Sequence, residues 1–190
     1  MNILRTVTFL TLVSLPCLAQ QPFSRHIQDY SNSLAPYVSS PQQIVDKMLE
    51  AAQIKPGETL YDLGCGDGRI LITAAERYRA RAVGVEISES LVRTVNEAIL
   101  RRNLQDQVQV IHGNLLNVNL TSADVVIIYL ETKSNDLLRP NLERDLRRGA
   151  RVVSHDFMVP GWKASRMETL DAFRRSHTIY VYDMPQRHKK

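Results

Sequence analysis

Cysteine is scarce in this chain: Cys17 and Cys65 are the only two among 190 residues. If the first of them leaves with a cleaved leader, as argued below, Cys65 has no partner and no internal disulfide can staple the fold. Aromatic residues make up 6% of the chain, with a single tryptophan. Net charge is only +4, and no dense Lys/Arg stripe interleaves with aromatics, so a nucleic-acid partner is not expected. The basic end Arg187-His188-Lys189-Lys190 reads as a solvated terminus. No apolar run reaches the about 20 residues that a comfortable membrane helix needs. There is no repeat and no low-complexity tract. What remains is one domain's worth of ordinary globular composition, long enough to bury a core.

The first 19 residues differ from the rest. Arg5 supplies a short positive region, residues 6–15 (TVTFLTLVSL) are uncharged and largely apolar, Pro16 breaks them, and Cys17-Leu18-Ala19 offers small residues for cleavage. This pattern predicts a signal peptide and an exported protein, periplasmic or secreted, with an uncleaved membrane anchor and a cytoplasmic domain as the alternative. Residues 20–40 are polar and aperiodic and read as an N-terminal arm. The domain proper spans 41–190. Ser40 is expected to cap a helix whose first residue is Pro41, and Ile44, Val45, Met48, Leu49 and Ala52 give that helix its apolar stripe.

The chain is organised around residues 61–69, Y-D-L-G-C-G-D-G-R. An apolar extended run breaks into glycines and restarts as a helix, which brings free backbone N–H groups and a positive helix end to one spot. Gly64, Gly66 and Gly68 let the backbone approach a ligand closely. The dinucleotide fingerprint would place a third glycine where Arg69 stands. Asp62, two residues before the first glycine, would repel a pyrophosphate and welcome a cation. The stretch resembles motif I of the class I S-adenosylmethionine (SAM) methyltransferases, and that resemblance implies SAM as cofactor.

Beyond it the pattern alternates. Residues 81–87 read as a buried strand, Ser88 as the cap of a helix to about residue 102, and residues 107–112 as a strand. Residues 123–130 (ADVVIIYL) are apolar throughout, as a central parallel strand should be. A helix is expected over about 135–148, irregular at Pro140, then a strand over 150–157. Residues 167–170 and 178–182 read as two more strands forming an antiparallel edge. The predicted fold is α/β, a Rossmann-like doubly wound and mostly parallel sheet with that edge, the class I methyltransferase fold.

Such a sheet lines up the glycine loop, Glu86, Asn114 and Tyr129 along its carboxyl edge. Glu86 ends the second strand about 20 residues past the glycines, where an acid can accept both hydrogens of a ribose diol. Asn114 stands where these methyltransferases often carry an acid toward the adenine amine; its amide can accept there and donate to a ring nitrogen. The neighbouring Ile87 and Leu115, the small Cys65 beneath the cofactor and Tyr37 at the mouth complete the expected cofactor site.

Pro36-Tyr37-Val38, the D-G-R-I loop, Leu137-x-Arg139-Pro140 and residues 151–157 (RVVSHDF) with Trp162 beyond are similar to the mitochondrial membrane lysine methyltransferases. The likeness runs over about residues 36–162 and implies transfer to a protein lysine amine. Tyr129 and Glu131, after the fourth strand, are the expected catalytic pair, placed to orient an amine that must first lose its proton. Where relatives of this pattern carry a Leu-Pro loop, residues 131–135 (ETKSN) stand instead. The Asp/Asn-Pro-Pro-Tyr/Phe motif for planar amides and base nitrogens is absent, so such acceptors are not expected. No metal is expected either: His155 and Asp156 are strand neighbours that should face opposite ways. Two other readings stay open, a methyltransferase for a small molecule or lipid and a non-catalytic SAM-binding protein. A monomer is expected.

Overall fold

The computed structural model describes residues 34–186; the expected leader, most of the arm and the basic end lie outside them. Helix α1 (Gln42–Ala51) precedes β1 (Thr59–Leu63). Then follow α2 (Arg69–Tyr78), β2 (Arg81–Glu86), α3 (Glu89–Arg101) and β3 (Val108–His112). A 3-10 turn (Leu115–Asn117) leads to β4 (Val125–Ile128), α4 (Thr132–Asp145) and β5 (Arg151–His155). The chain ends in β6 (Arg166–Ala172) and β7 (Arg175–Asp183).

The seven strands form one sheet in the order β3-β2-β1-β4-β5-β7-β6. Pairings from β3 through β5 are parallel, and β7 runs antiparallel to both β5 and β6. This is the doubly wound sheet with an antiparallel edge that the alternating pattern implies. The chain winds from β1 toward β3, then crosses back to β4, so the topological switch point lies between β1 and β4. Ligands of open α/β sheets bind outside the carboxyl ends of the strands at such a point.

Strand alternation sorts side chains into two cores. Leu60, Ile127, Val153 and Val181 pack with α1, α2 and α3 on one face. Tyr61, Leu63, Val126, Ile128 and Tyr182 pack with Leu138 and Leu142 of α4 on the other. Covered on both sides, β4 is buried along its whole length, and each of its Val and Ile side chains contributes about 1.5–3 kcal/mol by leaving water.

Three local expectations are corrected. Ser40 does not cap α1: Pro41 occupies the cap position with no side-chain cap, and the Ser40 hydroxyl is hydrogen-bonded to His155 Nδ1 at 3.1 Å instead. α4 begins at Thr132, three residues earlier than expected, and runs through Pro140. Residues 131–135 are therefore mostly helix rather than loop, with Ser134 and Asn135 buried. Lastly, β5 stops at His155, and Asp156 takes a left-handed φ of 60°. Strand alternation no longer applies there, and His155 Nε2 comes within 3.3 Å of Asp156 Oδ2. No helix among the described residues is long and apolar enough to cross a membrane.

Candidate active site

The glycine loop leaves β1 and folds over the tip of β2. Gly64 and Cys65 both donate their backbone N–H to Val85 O, at 2.9 and 3.1 Å. Gly66 N–H donates to Glu86 Oε2 at 3.0 Å, and Ser88 N–H donates to Glu86 Oε1 at 2.8 Å. The strand-end acid thus holds both the loop and the start of α3. Each of its oxygens keeps a lone pair for a further donor. Gly66 has φ 54°, and a Cβ there would stand 2.6 Å from Tyr37 Cε2; only glycine lets the Tyr37 ring lie on the loop.

These elements bound an open cleft of about 860 Å³, part of it continuous with solvent. Its lining includes Tyr37, Asp62, Gly64, Cys65, Gly66, Glu86, Ile87, Asn114, Leu115 and Tyr129. Two residues expected at the site fall elsewhere. Gly68 is the left-handed cap of α2 (φ 75°), and its Cα hydrogens face Val95, 2.6 Å from where a Cβ would sit. Its role is close packing of loop against α3. Glu131, expected beside Tyr129 at the acceptor, is exposed at the start of α4 and outside the cleft wall. The early start of α4 carries it away.

Asp62 is the least satisfied group in the cleft. It is 3% exposed, and its Oδ2 has no hydrogen-bond partner. Burial first, and the Glu86 charge second, push its carboxyl up to about 8. A cationic group placed against it would displace the acid's proton and meet a carboxylate with no counter-charge from the protein. Cys65 lies beside it, 5% exposed, with its thiol pushed up by burial. An un-ionised thiol is a packing group, not a nucleophile. Asn114 lines the cleft, and its Oδ1 accepts from Leu116 N–H at 2.9 Å.

Sequence reasoning placed Tyr37 at the mouth but missed what fastens the N-terminal side there. Arg69 pairs with Asp67, Nε to Oδ1 at 2.9 Å, and its Nη1 donates to Ser40 O at 2.7 Å. Burial pushes Asp67 up, but hydrogen bonds from Arg69 outweigh it and hold the carboxyl below its ordinary value. Burial first, and the neighbouring Asp67 charge second, push the Tyr37 hydroxyl up. The loop's own D-G-R sequence therefore fastens residues 34–40 across the cleft, where all seven line its wall. The adjacent acid and base in the motif were the available signal.

Also lining the cleft, Tyr129 packs on His155, ring centroids 3.9 Å apart and planes tilted by 33°. His155 is fully buried, and desolvation pushes its imidazole down to about 4, so the ring is neutral. Its Nε2 lies 2.9 Å from His177 Nδ1. Nothing in the sequence ties His177 to this corner, because only the β5–β7 pairing, with Ile179 opposite His155, brings together two histidines 22 positions apart.

The described geometry fits a cationic adenosyl cofactor: an unpaired buried acid, a close-approach glycine loop and a strand-end carboxylate with lone pairs to offer. Comparison with known proteins agrees. The family model "ANTKMT methyltransferase domain" matches residues 62–166, more than half the chain. A protein-lysine N-methyltransferase of Saccharolobus islandicus is 39% identical over 148 residues, 77% of this chain and 92% of that protein. The adenine nucleotide translocase lysine N-methyltransferase of Mus musculus is 32% identical over 128 residues. That match takes in 67% of this chain, which spans only 56% of the murine protein. Among solved structures, an RNA methyltransferase from Salinibacter ruber in complex with S-adenosyl-L-homocysteine is 39% identical with a TM-score of 0.73. It covers 79% of this chain and 95% of its own. Fold, loop chemistry and family match converge, and the chain belongs to the ANTKMT methyltransferase domain family, within the class I SAM-dependent methyltransferases.

Proposed function

We propose that the cleft binds SAM and that the protein methylates a lysine amine of a protein substrate. The observation that carries the cofactor reading is the orphaned, buried Asp62 oxygen at the carboxyl edge of β1. The relatives that act on protein lysines support the acceptor. Bound SAM supplies an activated methyl group, so the protein has little covalent chemistry to perform. Asp62 would hold the cofactor's ammonium, Glu86 its ribose hydroxyls, and Asn114 with Leu115 its adenine. The glycine loop admits the close approach, and Tyr37 with residues 34–40 excludes water from the near side. Tyr129, which also lines the cleft, would pack against an incoming lysine stem and hold its amine in line.

The test is transfer of labelled methyl from SAM into a cell lysate, fractionated into protein, RNA and solvent-extractable material, with hydrolysis of the protein fraction to identify the residue. Label on lysine supports the reading. Label in RNA alone would favour a second reading, which rests on the Salinibacter ruber RNA methyltransferase. Isothermal titration with SAM tests the cofactor separately, and absence of binding overturns both. We further propose that residues 1–19 direct export or anchor the chain; mass spectrometry of the mature N-terminus distinguishes the two.

A further inference from the structure

The corner behind Tyr129 holds three ligand-type atoms that the methyl-transfer reading does not use. His155 Nε2 and His177 Nδ1 are 2.9 Å apart, His177 Nδ1 and Asp156 Oδ2 3.2 Å, and His155 Nε2 and Asp156 Oδ2 3.3 Å. The two imidazoles are 0% and 2% exposed. In a tetrahedral ion with bonds of about 2.0–2.2 Å, donor atoms stand about 3.3–3.5 Å apart. Two edges of the observed triangle come close to that spacing, and the third, between the imidazoles, is at hydrogen-bond length, 2.9 Å, and must open slightly around an ion.

Three further contacts make this a built site. Asp156 reaches the corner only because of its left-handed φ, and its other oxygen is fixed by Thr178 N–H at 2.9 Å. His155 Nδ1 faces Ser40 Oγ at 3.1 Å. With Nδ1–H donated to that hydroxyl, Nε2 carries a lone pair toward the triangle, the arrangement that outer partners impose on metal-bound histidines. Three electron-rich atoms then share at most one ring proton, which leaves the corner short of positive charge. Arg175, about half exposed, reaches Asp156 Oδ2 from the solvent side and partly makes up the deficit.

We propose that His155, Asp156 and His177 bind one divalent transition-metal ion of the zinc class. The donor set, two nitrogens and one carboxylate oxygen, suits such an ion better than calcium or magnesium, which prefer all-oxygen sites. The ion takes the Oδ2 lone pair that Arg175 now contacts, and the guanidinium swings out. It ties the end of β5 to β7 and fixes the His155 ring against which Tyr129 packs. Its role is to brace the cleft wall, and it stands whatever the methyl acceptor is.

The experiment strips the purified full chain with chelator, dialyses it against zinc, and measures bound metal per chain; cobalt substitution reports geometry through its visible absorption. One equivalent of zinc, intense tetrahedral-type cobalt bands and no uptake of magnesium are expected. A double variant, Asp156→Asn with His177→Gln, should lose the equivalent. Ser40→Ala should weaken zinc binding about 10-fold or more, and Arg175→Ala should tighten it by removing the competitor. Both of these leave the buried imidazoles in place and remain informative if the double variant does not fold. A wild-type chain that takes up no zinc, uptake that survives the double variant on other histidines, or Ser40→Ala and Arg175→Ala affinities equal to wild type would each overturn the proposal.

Discussion

Asp62 carries a proton at neutral pH because burial and the Glu86 charge disfavour its ionised form. Its folded pKa of about 8 lies above the unfolded value, so the native state binds the extra proton between about pH 4 and 8. Stability should therefore fall as pH rises across that window and level off above it. Asp62→Asn should flatten the profile, which urea denaturation at several pH values would show. The same proton must leave when a cation binds, so SAM affinity should rise with pH toward 8, and calorimetry in buffers of different ionisation enthalpy should detect its release. Glu86→Gln removes charge from the bonds that Gly66 and Ser88 donate. Loss of charged hydrogen bonds predicts SAM binding weaker by about 1.5–3 kcal/mol, measurable by titration. Both acids were legible in the sequence: Asp62 stands two residues before the first glycine, and Glu86 ends the next strand pattern. His177 was not, since only antiparallel pairing brings it to His155. Glu131 looked suitable by position, yet it is turned out by an early helix start.

At the level of elements, the β1–loop–α2 unit depends on glycine outside the loop as well as within it. Gly84 in β2 sits beneath the loop, and a Cβ there would lie 2.6 Å from both Cys65 Sγ and Leu71 Cδ1. Gly84→Ala should cost about 1–3 kcal/mol by overpacking, read as a lower urea midpoint with unchanged slope. This glycine drew no notice in the sequence, because the strand pattern around it reads well without it. The strongly periodic elements were the readable ones: β4 by its unbroken apolar run, and α3 by Ser88, whose hydroxyl accepts from Leu91 N–H. Element starts were harder. Ser40 has the chemistry of a cap, but it is engaged by a histidine 115 positions away.

Across the whole molecule, the parallel sheet and the residues on its carboxyl edge followed from alternation and crossover handedness, whereas the strand order did not, and the two late strands could be paired but not placed. Long-range charge pairs were equally hidden. Arg151 at the start of β5 donates to both oxygens of Glu58 before β1, at 3.1 and 2.5 Å, with both side chains largely buried. Burial raises Glu58, but the Arg151 hydrogen bonds prevail and lower its pKa overall. That contribution is present above the ordinary carboxylate range and is lost as pH falls through the folded value. Arg151→Ala should cost about 1.5–3 kcal/mol near pH 7, and its deficit relative to wild type should shrink in acid, as thermal melts at pH 7 and pH 3 would reveal.

Residues 34–40 serve as both tether and wall: Tyr37 lies on Gly66, and Arg69 grips Ser40 O. An occupant of the cleft is thus partly enclosed by a length of chain that belongs to no helix or strand. Its residence time becomes a property of how readily that strip peels back, and a methyl donor once spent waits on the strip before a fresh one enters. Turnover would then be paced at the doorway, by an arginine's hydrogen bond and one aromatic ring, rather than where the bond is made.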